Sequence, residues 1–192
     1  MYDQIERIST LLRASVRKES LAHGLQPVQM EALHYLSRCN RYSNTPMAVS
    51  EFLSLTKGTV SQTLAVLESA GYLLKVPDPK DRRVVHLELT VEGERVLADA
   101  IPPKVLTSAL GLMDESRKTE VSAYLLELLV MIQRANGLKS FGVCKACHHH
   151  HLRKDGTRSC QLTLETLSEP DSDKICREHR AVLEHEEERL SA

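Results

Sequence analysis

Between Phe141 and Cys160 the chain reads FGVCKACHHHHLRKDGTRSC, with three cysteines and four consecutive histidines in twenty residues. Of the five cysteines, only Cys39 lies before this stretch. Thiolates and imidazoles are the ligands of zinc and of iron–sulfur clusters, and thiols also carry redox chemistry. The candidate ligands run Cys144-x2-Cys147-x12-Cys160-x15-Cys176-x2-His179. A Cys-x2-Cys knuckle lets two thiolates reach one ion from a tight turn. With Asp171, Ser172 or Asp173 as a cap, DSDKICREHR reads as a helix start. Cys176 and His179, at i and i+3, then point the same way.

Four cysteines, or three with His179, fit structural zinc, and the short pairs at the two ends of the set favour it. Four cysteines also fit a [2Fe–2S] or [4Fe–4S] cluster. A metal-free thiol switch is the third option. Four successive histidines cannot all face one ion, so His148 to His151 are expected to form a loop, with one or two at most as ligands. A zinc-dependent enzyme would need an open coordination position and a general base. Glu178 is the only acid beside the set and the set reads as closed, so no catalysis is expected.

What this cluster is attached to follows from the rest of the chain. At 192 residues it has room for one sizeable domain and a small appendage. It is 42% hydrophobic and 27% charged, with no Trp and two Phe, so a soluble chain with an aliphatic core is expected. No apolar run reaches the roughly 20 residues of a membrane span. MYDQIERIST lacks the basic start and apolar block of a signal peptide. The cytoplasm is therefore the expected compartment, where clustered cysteines point to metal or redox chemistry rather than disulfides. Residues 1–136 carry 16 basic and 16 acidic side chains, and residues 137–192 carry 9 and 10. A DNA binder with this balance must concentrate its positive charge locally.

The elements that must position these groups read mostly as helices. Ile5, Ile8, Leu11, Leu12 and Val16 form a helical stripe ended at Gly24. Pro27 and Pro46 start two further helices. Thr56 caps a fourth, in which Val60, Leu64 and Leu67 face inward and Gly71 ends the helix. Its other face, Lys57, Gly58, Ser61 and Gln62, is small and polar, as base edges and phosphates require. Two extended runs then flank the tip PDPKDRR, and the second alternates as a half-buried strand does. A helix–turn–helix followed by a basic hairpin is the plan of a winged helix. Thr90 caps the next helix, Pro102–Pro103 breaks it, and an apolar helix runs from about 118 to 136. Val121, Tyr124, Leu125, Leu128, Leu129 and Ile132 spread around so much of that last helix that a second subunit is the simplest cover.

Residues 25–97 resemble the MarR family of bacterial winged-helix regulators. LTKGTVSQTLAVLESAGYL and DPKDRRVVHLELTVEG carry the resemblance. Its specific part is the wing signature Asp78-x-x-Asp81-x-Arg83, followed by a strand and Leu89-Thr90-x-x-Gly93. With flanking helices it covers about residues 2–136. The resemblance implies a mostly α fold with a small β wing, and a homodimer formed by the first and last helices on a pseudo-palindromic double-stranded DNA operator. It also leaves room for a small-molecule effector. It places Lys57, Gly58, Thr59, Ser61 and Gln62 on the recognition helix, Arg83 in the minor groove, and Lys80 and Arg82 near phosphates. Gln62 or Lys57 stands where relatives often have Arg, so base preference is expected to differ. His34 and His86 are expected to be ordinary helix and strand residues, and Cys39 a buried thiol.

Members of that family normally end after the last helix, and this chain continues through residues 137–192 as a Cys/His-rich module. Leu162, Leu164, Leu167, Ile175 and Leu183 are too few to core a module of this size, so a metal is expected to stabilise it. The run Glu184–Leu190 reads as a solvated helix face. Because the module follows the last helix, its metal or redox state is expected to act through the dimer helices. The expected function is a DNA-binding transcriptional regulator, with repression the simplest reading of a winged helix; the rival is an interaction module with a structural zinc knob.

Overall fold

Side-chain caps set where most helices of the winged helix begin. The computed structural model describes residues 1–181; Leu183 and the Glu184–Leu190 run lie outside the described residues. Helix α1 (Tyr2–Ala22) closes at Gly24, whose φ of 70° suits a residue without Cβ. Helix α2 (Pro27–Arg38) starts at a proline, with Gln29 Oε1 accepting from the Gln26 amide at 2.7 Å. Thr45 and Thr56 cap α3 (Pro46–Phe52) and α4 (Lys57–Ser69) through Oγ1. Strands β1 (Leu73–Pro77) and β2 (Val85–Leu89) pair antiparallel with Leu73 opposite Leu89 and Pro77 opposite Val85. Thr90 caps α5 (Val91–Ala100) and also donates to the Gly71 carbonyl at 2.6 Å, tying this helix to the end of α4.

The core lies between α2, α4, α5 and the base of the wing. Met30, Leu33, Leu64, Leu67, Leu73 and Val96 are buried there. Gly93 lets α5 lie on the backbone at Tyr72, since a Cβ at that position would come within 2.1 Å of the Tyr72 carbonyl oxygen. The helical run breaks at Pro102–Pro103, as expected, into α6 (Lys104–Leu110) and α7 (Glu115–Ala135), which Asp114 caps three residues earlier than the apolar pattern suggested. None of the α7 side chains is buried, and Tyr124, Leu125, Leu129 and Ile132 are exposed, as are Ile5, Ile8 and Leu11 of α1.

Residues 137–181 add a 3-10 turn (Cys144–Ala146), strands β3 (His150–Leu152), β4 (Arg158–Cys160) and β5 (Thr166–Leu167), and the short α8 (Glu169–Ser172). The three strands form an antiparallel sheet in sequence order. The segment shares the core of the winged helix rather than standing on its own. Phe141, 8% exposed, meets Tyr35 and Phe52 edge-on, with centroids 6.1 and 5.2 Å apart. Ile175 lies like an extra strand residue between Cys39 and Val143: its amide donates to the Arg38 carbonyl and its carbonyl accepts from Asn40, both at 2.9 Å. Apolar surface too scarce to core the tail internally is thus buried against α2 and α3.

Two local expectations are corrected. Cys176 and His179 are not on a helix: Ser168 caps α8 ahead of them, and pairing of Ile175 with Cys39 holds the following residues in a turn. The histidine run is not simply a loop, because His150 and His151 sit in β3 opposite Cys160 and Ser159. Backbone pairing with the cysteine strand outweighs the low strand preference of a polar run.

Candidate nucleic-acid interface and cysteine pocket

Helix α4 buries Val60, Thr63, Leu64 and Leu67 and exposes Lys57, Gly58, Thr59, Ser61 and Gln62 on the opposite side. The helical period therefore sorts the candidate contacts onto one face. Thr59 has a second task, since its hydroxyl lies 2.9 Å from the capping hydroxyl of Thr56. Arg83 and Val84 of the wing line the same groove as Lys57 and Ser61.

The wing tip is built by its two aspartates. Asp78 Oδ1 accepts from the Lys80 and Asp81 amides, each at 2.7 Å, and Asp78 Oδ2 lies 3.0 Å from His86 Nε2. The His86 contact and these amides hold the Asp78 carboxyl down at about 2. His86 also reaches Asn44 Oδ1 at 2.6 Å, and the Leu87 amide donates to the Asn44 carbonyl at 2.7 Å, so the wing is hinged on the α2–α3 connection. Asp81 accepts from the Arg83 amide and takes its guanidinium in a two-point contact at 3.0 and 2.9 Å, which raises the arginine. The Arg83 side chain stays 90% exposed. The wing signature thus presents a cation to solvent in a fixed direction, with Arg82 exposed beside it. Lys80 is not wholly free: its ammonium lies 3.3 Å from Glu165 in the tail.

Cys144, Cys147, Cys160 and Cys176 line one small pocket, joined by His149, His150 and Tyr42. Burial and then the neighbouring thiols of Cys176, Cys147 and Cys160 push Cys144 up to about 12. The Arg180 amide donates to Cys147 Sγ at 3.4 Å. Cys144 and Cys147 are buried and Cys160 and Cys176 half-buried, and four sulfur donors gathered in this way suit a thiophilic metal. Among the described residues, no three Cys, His, Asp or Glu side chains already stand as a coordinating group. His179 is not a wall of this pocket. Its ring lies against Gly142, where a Cβ would come within 2.5 Å, and its Nδ1 is 2.7 Å from Ser140 Oγ. Cys39 is buried apart from the pocket lining, pushed up to about 12 by burial.

No local pattern in the sequence points to what joins the pocket to the winged helix. Arg177, next to Cys176, makes a two-point ion pair with Glu51 of α3 at 2.7 Å for each contact, and Lys139 joins from 2.8 Å. The Arg177 and Lys139 contacts hold Glu51 down at about 2. The Arg177 amide donates to Ser43 Oγ. Glu165 accepts from Tyr42 and Arg41 at 2.8 and 3.2 Å. The tail thus touches α2, α3 and the wing, and it also meets the end of α7, where Gln133 Nε2 donates to the Ser140 carbonyl at 3.1 Å. A separate hollow lies between α1 and α2, walled by Arg13, Val16, Met30, His34 and Ile101. Burial and then Arg38 lower His34 there. Among the described residues no helix is long and apolar enough to cross a membrane.

The MarR family model matches residues 23–84. An uncharacterized HTH-type transcriptional regulator of Bacillus subtilis, YkoM, is 28% identical over 120 residues, which span 56% of this chain and 75% of that one. The HTH-type transcriptional regulator PecS of Dickeya dadantii is 27% identical over 124 residues, 63% of this chain and 75% of its own. Among solved structures, the S. aureus MepR–DNA complex matches with a TM-score of 0.55 at 21% identity, covering 68% of this chain and 98% of MepR. The architecture is that of a MarR-like winged helix.

Proposed function

With a MarR-family winged helix in residues 23–84 as the premise, we propose that this chain is a sequence-specific DNA-binding transcriptional regulator, a repressor in its simplest form. The observation that carries the proposal is the shared groove. The polar face of α4 and the tip of the wing, with Lys57 and Arg83 on its walls, open onto one side of the molecule. Such an arrangement suits a helix in the major groove with a cation reaching the backbone or minor groove beside it. Names of relatives such as YkoM and PecS support the same reading.

The exposed apolar faces of α1 and α7 suit a homodimer, and a two-fold dimer reads a pseudo-palindromic operator with half-sites about one turn apart. The hollow between α1 and α2 is the place for a small-molecule effector. The pocket of four cysteines is proposed to hold zinc, with an iron–sulfur cluster as the alternative that the same thiols support. When bound, the metal supplies structural cross-linking of the tail, and a cluster would add redox sensitivity.

The test is binding to duplex DNA across a salt series. Affinity should fall steeply with salt, because phosphate contacts release counterions. Arg83→Ala should weaken binding by about tenfold at low salt, the loss of a charge-assisted contact of ~1.4 kcal/mol. Unchanged affinity in Arg83→Ala would refute the assignment of the wing. Elemental analysis of protein purified anaerobically without a metal-affinity column decides the cofactor: about one zinc per chain supports the first choice, and iron with sulfide the second.

A further inference from the structure

We infer that the docked tail is an electrostatic brake on the wing, in which the turn after Cys160 presents Glu165 to Lys80 and withholds that cation from DNA. The inference rests on the DNA-binding reading above and adds to it a control point in the tail.

The geometry begins at the pocket. Cys160 donates its amide to the Glu165 carbonyl and accepts from the Leu164 amide, both at 2.9 Å, so residues 160–165 form one closed turn. Leu164 adopts a φ of 58°, a conformation that a branched side chain holds only when its surroundings impose it. One side of this turn is pocket wall, through Cys160, Leu162 and Thr163. The other side carries Glu165. Its Oε2 is fixed to the body by the Tyr42 hydroxyl and Arg41, and its Oε1 faces the Lys80 ammonium at 3.3 Å. Arg41 also donates to the Thr166 carbonyl at 2.9 Å, which pins the next residue. Tyr42 is shared, for it lines the cysteine pocket as well as holding Glu165.

A carboxylate anchored in this way next to the wing tip does two things. It competes with phosphate for Lys80, and it places a negative charge where a phosphate backbone must approach. Tyr42 and Cys160 are common to the pocket and the clamp, so whatever gathers or opens the thiols moves the carboxylate. The brake is therefore set by the pocket and read out at the wing.

The experiment compares binding of the full chain to a random-sequence duplex of about three helical turns, across a salt series, for four proteins and their doubles. Glu165→Gln should bind about two- to fivefold tighter per engaged wing, the range of an exposed ion pair, with a salt slope steeper by roughly one. Lys80→Gln should bind more weakly than wild type, and Glu165→Gln should tighten binding less in that background than in wild type, since only the repulsion of phosphate is left to relieve. Cys160→Ser should tighten binding as Glu165→Gln does, without adding to it in the double variant. Hydrogen exchange of the Ile175 and Arg177 amides should stay as in wild type in Cys160→Ser; a gain accompanied by a tail loosened there overturns control by the pocket. Binding by Glu165→Gln that equals or falls below wild type overturns the brake. A gain undiminished in the Lys80→Gln background overturns the clamp on Lys80, and an unaltered Cys160→Ser overturns control by the pocket. If wild type binds no duplex at any salt, the DNA-binding reading itself falls, and the brake with it.

Discussion

Replacing Glu51 by Gln should loosen the tail from α3, and the effect should disappear in acid. Glu51 meets Arg177 in a two-point contact and Lys139 at 2.8 Å, and these hold its carboxyl at about 2 instead of the ordinary 4.5. A fall of that size corresponds to about 3 kcal/mol favouring the docked state if nothing screens it. The Arg177 and Glu51 side chains keep 26% and 29% of their surface in water, which reduces the figure to about 1–2 kcal/mol. The pair contributes fully above pH 4.5, where Glu51 would be ionised even in an undocked chain. Its contribution is lost as pH falls through about 2, where the docked carboxyl also takes a proton. Hydrogen exchange at neutral pH should therefore show the Ile175 and Arg177 amides, which pair with Arg38 and Ser43, exchanging about five- to thirtyfold faster in Glu51→Gln. Urea midpoints followed by circular dichroism should differ between the two proteins at pH 7 and converge towards pH 2. Equal protection at those two amides, or a difference in midpoint that persists undiminished at pH 2, would refute the reasoning.

Phe141→Ala should cost about 3–5 kcal/mol in thermal or urea unfolding, because the buried ring packs edge-on against both Tyr35 and Phe52. The control is Leu164→Ala, which removes a largely exposed side chain and should stay within about 0.5 kcal/mol. Gly93→Ala forces a Cβ against the Tyr72 carbonyl and should lower Tm by about 5–10 °C; an unchanged Tm would mean that α5 does not lie on that backbone. In metal-free native protein, Cys39 should be alkylated at pH 8 more slowly than Cys160 or Cys176, being buried and shifted to about 12; a mass-spectrometric time course in which it reacts first would contradict its place in the core.

Much of the winged helix was legible because its signals are local. Val60, Leu64 and Leu67 recur at the helical period, Thr56 and Thr90 bear cap chemistry, and the β2 strand alternates. The wing signature fixed which arginine reaches the tip. In the tail, only the grouping of the cysteines was legible. The four of them line one pocket, while His179 stands outside that lining against Gly142 and Ser140, a placement that spacing alone does not specify. Docking on α2 and α3 left no periodic trace. It rests on Phe141, Ile175 and Arg177, single residues in irregular segments whose partners are far away in sequence. Cys176 was read on a helix because caps in DSDK were plausible locally; the partner that prevents it, Cys39, lies in another element.

The contact between Arg177 and Ser43 joins residues 134 apart, and that between Arg177 and Glu51 joins residues 126 apart. Order of synthesis follows from this. The chain emerges from its N-terminus, so α2, α3, α4 and the wing are all present before the residues that cover them. Until Phe141 arrives, the sides of Tyr35 and Phe52 that it occupies face water. A nascent or prematurely terminated product therefore carries a sticky apolar patch, and closing those long loops is the slow entropic step that removes it. Translation past Phe141 is in this sense checked by the fold, since only a chain read that far can cover those two rings.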